Sequence, residues 1–237
     1  MTHPQNKLLS LLPRAHLTSL EPRLERVRLV ARRTLHHAGT PLEHVYFIED
    51  GLVSVIADAG DGKSLEAWLV GCEGMVGVPV VLGGSMGFHR RVVMASGSAL
   101  RMSRSDLIRT MSELSSFRDL MYGYINLVLF QSSQAGACNA AHNVQQRLAR
   151  WLLMACSHDG KGVALTHAVL ARLLGVRRAT VTDYINKHAE EGVLSSTRGH
   201  LVINDREKLE AVSCGCYRMI HAHRERFYRA FEGSNGR

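Results

Sequence analysis

No run of residues in this sequence is apolar enough to span a membrane, because charge interrupts its longest hydrophobic stretches. The opening segment, MTHPQNKLLSLLPRAHL, lacks the apolar core and small-residue cleavage site of a secretory signal and reads as a short amphipathic helix. A cytoplasmic protein is the expectation, with no membrane partner. Cysteine is sparse and odd in number: Cys72, Cys138, Cys156, Cys214 and Cys216 are scattered, which argues against a disulfide framework. Cys214-x-Cys216 is closer than a usual zinc pair and no second pair completes it, so no metal is expected. Buried, inert thiols are the reading, with a redox role for Cys214 and Cys216 as the alternative. The chain also lacks a nucleophile–base constellation and a phosphate-cradling glycine loop, so neither an enzyme nor a cofactor is expected. Low-complexity tracts and internal repeats are absent.

What is present is an ordinary soluble composition, 46% hydrophobic and 21% charged, in a chain long enough for two modest domains. The charge is unevenly spread. From Val144 onward there are 15 Lys and Arg against 9 Asp and Glu, while the first 143 residues hold 14 against 12. The positive excess therefore lies in the C-terminal part and favours a polyanion partner there.

The periodicity changes twice along the chain. Residues 6–22 form a small helical cap, broken at Pro13 and ending near Pro22. From Leu24 to Met102, apolar residues recur in short runs separated by Ala38-Gly39-Thr40-Pro41, Glu49-Asp50-Gly51, Asp61-Gly62, Gly71 and Gly74. Such spacing points to a β-sandwich or small barrel, with Asp61-Gly62 as a hairpin turn. Helix begins at Ser103–Ser105. A longer helix from Phe117 to about Asn139 is apolar over so wide an arc that it must bury two faces, one on the β-domain and the other free for a second copy of the chain. Val144–Ser157 forms a further helix, followed by a turn at Asp159-Gly160.

Two short helices follow in LTHAVLARLLGVRRATVTDYINKHAEEGV, Leu165 to Val193. Val169, Leu170, Leu173 and Leu174 make the apolar face of the first; Val181, Tyr184, Ile185 and His188 make that of the second. Gly175 sits where the sharp turn needs a permissive backbone. Arg177, Arg178, Thr180, Thr182, Asp183, Asn186 and Lys187 point away from the packed face, as a helix lying in a DNA major groove requires. A plain surface hairpin shares this spacing. The following SSTRGHLVIND adds two strands around a basic tip at Arg198-Gly199, and helix, turn, helix, wing is a more specific order. Residues 205–232 form a terminal helix weakened at Gly215, with Asp205 as N-cap.

Taken together, HVYFIEDGLVSVI, WLVGCEGMVG, QQRLARWLLMA, LTHAVLARLLGVRRATV and RGHLVI make the whole chain resemble the Crp/Fnr superfamily of transcription regulators. The resemblance implies an α+β fold: a jelly-roll-like β-roll sensor of the cyclic-nucleotide-binding kind with its helical cap (residues 1–103), a linker and dimerisation helix (104–142), and a winged helix-turn-helix domain with a C-terminal helix (143–237). It implies a homodimer on an inverted-repeat operator of double-stranded DNA, and RNA polymerase as partner if the regulator activates. The family holds a cyclic nucleotide with a Gly-Glu pair and a following Arg-Ser. Here Gly77 matches the glycine, Val78 replaces the glutamate, and Arg90 and Arg91 lie a residue or two out of register. Ser132 and Ser133 fall near the place where the family's long helix reaches the base. A response to cyclic AMP is therefore not expected. The iron–sulfur branch's N-terminal cysteine cluster is missing. His36, His37, His44 and His89 are available to a haem but read as strand-surface residues. At the DNA end, Arg178 and Thr180 match contact positions, with Arg178 placed to read guanine. Asp183 departs from the pattern, and Thr166, His167, Arg177, Lys187, Arg198 and His200 are phosphate-contact candidates. The competing expectation is a small-molecule sensor whose β-roll carries the main function.

Overall fold

The computed structural model describes residues 4–60, 62–156, 162–197 and 199–232. Asp61, Asp159-Gly160 and Arg198, all assigned above to turns or the wing tip, lie outside the described residues. The chain divides into two compact units that cut across the three sequence segments. The first gathers the described residues of Met1–Val55, Val70–Phe130 and Ala222–Arg237; the second gathers those of Ile56–Leu69 and Gln131–His221.

Helix α1 (Arg14–Leu20) and two short 3-10 turns form the N-terminal cap. The sheet that follows is built from β1 (Glu25–Leu29), β2 (Thr34–His36), β3 (His44–Asp58), β4 (Ser64–Val70), β5 (Met75–Val76), and, after the short helix α2 (Val78–Val81), β6 (Arg90–Ser103). Strand order is β1-β6-β3-β4, with β2 also on β6 and β5 on β3. β1 and β6 run antiparallel in register from Glu25 opposite Arg101 to Leu29 opposite Gly97. Helix α2 is an addition to the expected run of turns: Gly77 takes a left-handed conformation (φ 113°) as its N-cap, and Pro79 sits in its first turn.

The cap is tied down by Asn6, which is fully buried. Its amide donates to the carbonyls of Ile48 (2.7 Å) and Gly74 (2.9 Å), and its Oδ1 accepts from Leu9 N (2.9 Å). A buried amide is stable only when its groups are paired in this way. The strand-to-helix change falls where the sequence puts it. Ser103 caps α3 (Arg104–Glu113) by accepting from Asp106 N. Helix α4 (Ser115–Ala141) then packs Phe117 against Phe47, with ring centroids 6.4 Å apart. The buried Tyr124 hydroxyl accepts from Met75 N (3.0 Å) and donates to Met75 O (3.2 Å), which fixes β5.

In the second unit, α5 (Val144–Ala155) starts with a reciprocal capping box between Asn143 and Gln146. It buries Leu148, Trp151 and Leu152, and Trp151 Nε1 donates to Glu66 Oε1 at 2.7 Å. Next come β7 (Val163–Ala164), α6 (His167–Leu174), α7 (Arg178–Glu190), β8 (Leu194–Thr197), β9 (His200–Ile203), α8 (Arg206–Val212) and α9 (Cys216–Glu232). β7 is a strand that its two residues did not announce, and it completes a three-stranded wing in the order β7-β9-β8. Asp205 caps α8 through Lys208 N, and the expected break at Gly215 separates α8 from α9.

Candidate nucleic-acid interface

Thr166 is the N-cap of α6, its hydroxyl oxygen accepting from Val169 N at 3.3 Å. Leu170, Ala171, Leu173 and Leu174 are buried beneath it. The helix stops at Gly175, which is left-handed (φ 65°, ψ 37°). Val176 N then reaches back to Ala171 O at 2.9 Å, closing the helix end. A side chain at Gly175 would start 2.6 Å from Leu65 Cδ2, so the turn is tight as well as left-handed. The free carbonyl of Leu174 accepts from Arg147 Nη2 at 2.7 Å.

Helix α7 is sorted as its spacing dictates. Val181, Tyr184, Ile185 and His188 are buried, while Arg177, Arg178, Asp183, Asn186 and Lys187 are exposed. Tyr184 and His188 meet edge to face, and His188 Nδ1 pairs with Glu191 Oε2 at 2.9 Å. Thr180 and Thr182 are half-buried. Thr182 Oγ1 lies 3.1 Å from His167 Nδ1, a side-chain bond between the two helices. Burial, and then the neighbouring Arg178, lower the pKa of His167. Its neutral ring can offer a phosphate a hydrogen bond but not a charge. On the wing, His200 is exposed and pairs across the hairpin with Thr197. The candidate residues thus lie along α6 and α7 and their caps (Thr166, His167, Arg177, Arg178, Thr180, Thr182, Asp183 and Lys187), with His200 on the wing.

The nucleotide-turn candidates are arranged differently. A Cβ at Gly77 would lie 2.6 Å from Val45 Cγ1, so the backbone is packed directly on β3. Val78, in the carboxylate's place, is half-buried as the first residue of α2. Arg90 is half-buried, but Arg91 is only 2% exposed; its Nη1 donates to His89 O at 2.5 Å and lies against Gly87. Burial lowers the Arg91 pKa to about 10. His36 is buried too, not a strand-surface residue as expected. Its Nε2 is 2.9 Å from His44 O, and burial, with Arg91 adding to it, lowers its pKa to about 4. Ser132 is half-buried and Ser133 exposed, on the part of α4 that belongs to the second unit.

The cysteines need a correction. Cys214-x-Cys216 has a second pair that its own spacing does not show: Cys138 and His142 bring the four ligand atoms within 4.8 Å of one another. The local signal was Cys138-x3-His142, which puts a thiol and an imidazole on one helix face. The separation of 76 positions between Cys138 and Cys214 hides the rest.

Two family models match the chain: the cyclic nucleotide-binding domain over residues 26–113 and the Crp-like helix-turn-helix domain over residues 146–212. No curated protein matches it in sequence. Among solved structures, FixK2 from Bradyrhizobium japonicum shares 16% identity over 81% of this chain and 98% of its own, with a TM-score of 0.69. A putative transcriptional regulator of the crp/fnr family from Eubacterium rectale shares 14% over 86% and 96%, with a TM-score of 0.66. The c-di-GMP responsive global regulator CLP from Xanthomonas campestris shares 20% over 80% and 98%, with a TM-score of 0.61. At these identities the likeness shows the fold alone. With a cyclic nucleotide-binding domain ahead of a Crp-like helix-turn-helix domain, on the fold these regulators share, the chain belongs to the Crp/Fnr superfamily of transcription regulators.

Proposed function

We propose that this regulator is a cytoplasmic, non-enzymatic homodimer that reads an inverted-repeat operator through α7 without cyclic AMP. The observation that carries the reading is the split of α7 into a buried apolar back and an exposed front of Arg177, Arg178, Asp183, Asn186 and Lys187. Arg178 reads a guanine edge through its two-pronged guanidinium. Asp183 accepts from cytosine N4 and shifts the operator away from sequences read by an arginine. Thr166, Arg177, Lys187, Arg198 and His200 hold phosphates, with His167 bonding as a neutral ring.

Homodimerisation is supported by the uncovered face of α4. Tyr122, Asn126, Leu129, Ser133, Gly136 and Ala140 are exposed at alternating spacings of four and three, the seam of a two-helix coil. Two such subunits would present half-sites about 34 Å apart. Independence from cyclic AMP is supported by Val78, which offers the ribose hydroxyls no acceptor. An activator of this kind would also contact RNA polymerase. One observation favours the β-roll as the main working part instead: Arg91 is a buried cation whose desolvation an anionic small molecule would offset.

Fluorescence anisotropy with operator fragments selected from genomic DNA tests the proposal. Affinity should fall steeply with salt. Arg178→Ala should cost roughly 10- to 100-fold at the guanine-bearing operator, with less loss at a site changed at that base. Unchanged affinity and base preference in Arg178→Ala would remove the assignment. Calorimetric binding of an anionic nucleotide by a chain that ignores DNA would favour the β-roll reading.

A further inference from the structure

Four side chains in the second unit converge without any part in DNA reading. Cys138 lies on α4 and His142 just past its end, one helical turn on, with His142 N donating to Cys138 O at 3.1 Å; Cys214 and Cys216 flank Gly215 at the joint between α8 and α9. Cys138 Sγ is 3.4 Å from Cys214 Sγ, and Cys216 Sγ is 3.6 Å from His142 Nδ1. With Zn–S about 2.3 Å and Zn–N about 2.0 Å, a tetrahedral centre holds its ligand atoms about 3.5–3.8 Å apart. The three cysteines are at most 3% exposed and His142 is half-buried, so the thiols are withdrawn from solvent while the imidazole edges the surface.

The surroundings fit a charged centre. Gln134 Nε2 donates to Cys216 Sγ at 3.1 Å, the kind of outer hydrogen bond that holds a thiolate in place. Arg150 is 6% exposed; its Nη1 donates to Met154 Sδ at 3.5 Å, and its buried Nε has no hydrogen-bond partner among the described residues. A divalent ion with three thiolates and a neutral imidazole carries one net negative charge, which suits a position beside the guanidiniums of Arg150 and Arg147. No ion pair engages Arg150 among the described residues, and a buried cation without a counter-charge is costly.

We propose that Cys138, His142, Cys214 and Cys216 bind one Zn2+ per chain as a closed Cys3His centre. Three thiol protons leave to solvent as the metal enters, and no electron is transferred. Four protein ligands fill the coordination sphere, so the role is structural: the ion fastens the C-terminal end of α4 to the joint between α8 and α9. The inference stands independently of operator reading.

The test uses the full-length chain, purified under reducing conditions without chelator and incubated with Zn2+ or Co2+. Elemental analysis should find one zinc per chain. The cobalt form should show thiolate charge-transfer and tetrahedral d–d absorption. Chelation should lower the Tm by something on the order of 10 °C. Cys214→Ser and His142→Ala should lose the metal, while Cys72→Ser and Cys156→Ser keep it. Gln134→Ala should weaken binding by about 10- to 100-fold. Should the ligand variants fail to fold, the wild-type stoichiometry and cobalt spectrum decide alone. No metal retained from excess Zn2+, an octahedral cobalt spectrum, or a Cys138–Cys214 disulfide recovered in place of metal would overturn the proposal.

Discussion

The recognition helix and the Gly77 turn both follow a left-handed glycine, yet they dispose of their polar groups in opposite ways. After Gly175, α7 leaves Arg177, Arg178 and Lys187 in water. Beyond Gly77, β6 turns Arg91 inward to 2% exposure, and His36 is buried to 6%. Groups hydrated in the free protein can exchange water for phosphate or a base edge at small net cost. Groups already committed to the interior contribute to the β-roll's own energetics and are not available on its surface. The difference separates a surface built to be read out from an interior that is sensitive to charge.

The largest test removes the scaffold under the readable surface. Trp151→Ala deletes a side chain 1% exposed and its bond to Glu66, and should destabilise the second unit by about 3–5 kcal/mol. Urea titration followed by hydrogen exchange should show the loss in α5–α7, with protection in the β-roll retained. Equal loss in both units would break the comparison.

Next in size is the pH response of the β-roll. His36 has its pKa lowered to about 4 by burial, with Arg91 adding to it, so the unfolded chain binds a proton that the folded chain refuses. Stability is complete above the ordinary histidine value and is lost as pH falls from about 6.5 toward about 4, by about 3 kcal/mol at most. His36→Gln should flatten that window in pH-dependent urea unfolding. An unchanged slope would mean that this ring does not control it.

The two glycines allow a matched pair of smaller tests. Gly77→Ala forces a side chain onto Val45 at φ 113° and should cost about 1–3 kcal/mol. Gly175→Ala meets only the movable end of Leu65 and should cost about 1 kcal/mol, with a larger effect on operator affinity than on Tm. The smallest effect is expected for Thr182→Val. It removes the bond to His167 and should cost about 1 kcal/mol or less, read as a Tm shift of a few degrees.

Much of this fold is legible in the sequence because it rests on local chemistry. The strand-to-helix change at Ser103 is a capping residue, the helix-turn-helix is a spacing around one glycine, and the α8 start is Asp205. Helix α2 is not anticipated from the sequence, although Gly77 and Pro79 suit the start of a short helix. β7 is two residues long and is fixed only by its pairing, Val163 with Leu201. The DNA face is legible because a helix displays it by periodicity. The burial of His36 and Arg91, and the meeting of Cys138 with Cys214, depend on contacts distant along the chain, which no periodicity encodes.

Arg147 gives these distant contacts a thermodynamic meaning. Its Nε donates to Asn139 Oδ1, which lies between the metal-ligand candidates Cys138 and His142 at the end of α4, and its Nη2 donates to Leu174 O, the last carbonyl before the Gly175 turn. One rigid guanidinium thus spans the position proposed for zinc and the bend that aims the recognition helix. Coupling carried through it must be reciprocal: any factor by which the ion tightens operator binding is the factor by which the operator tightens the ion. A promoter that occupies this regulator would then also keep it metallated.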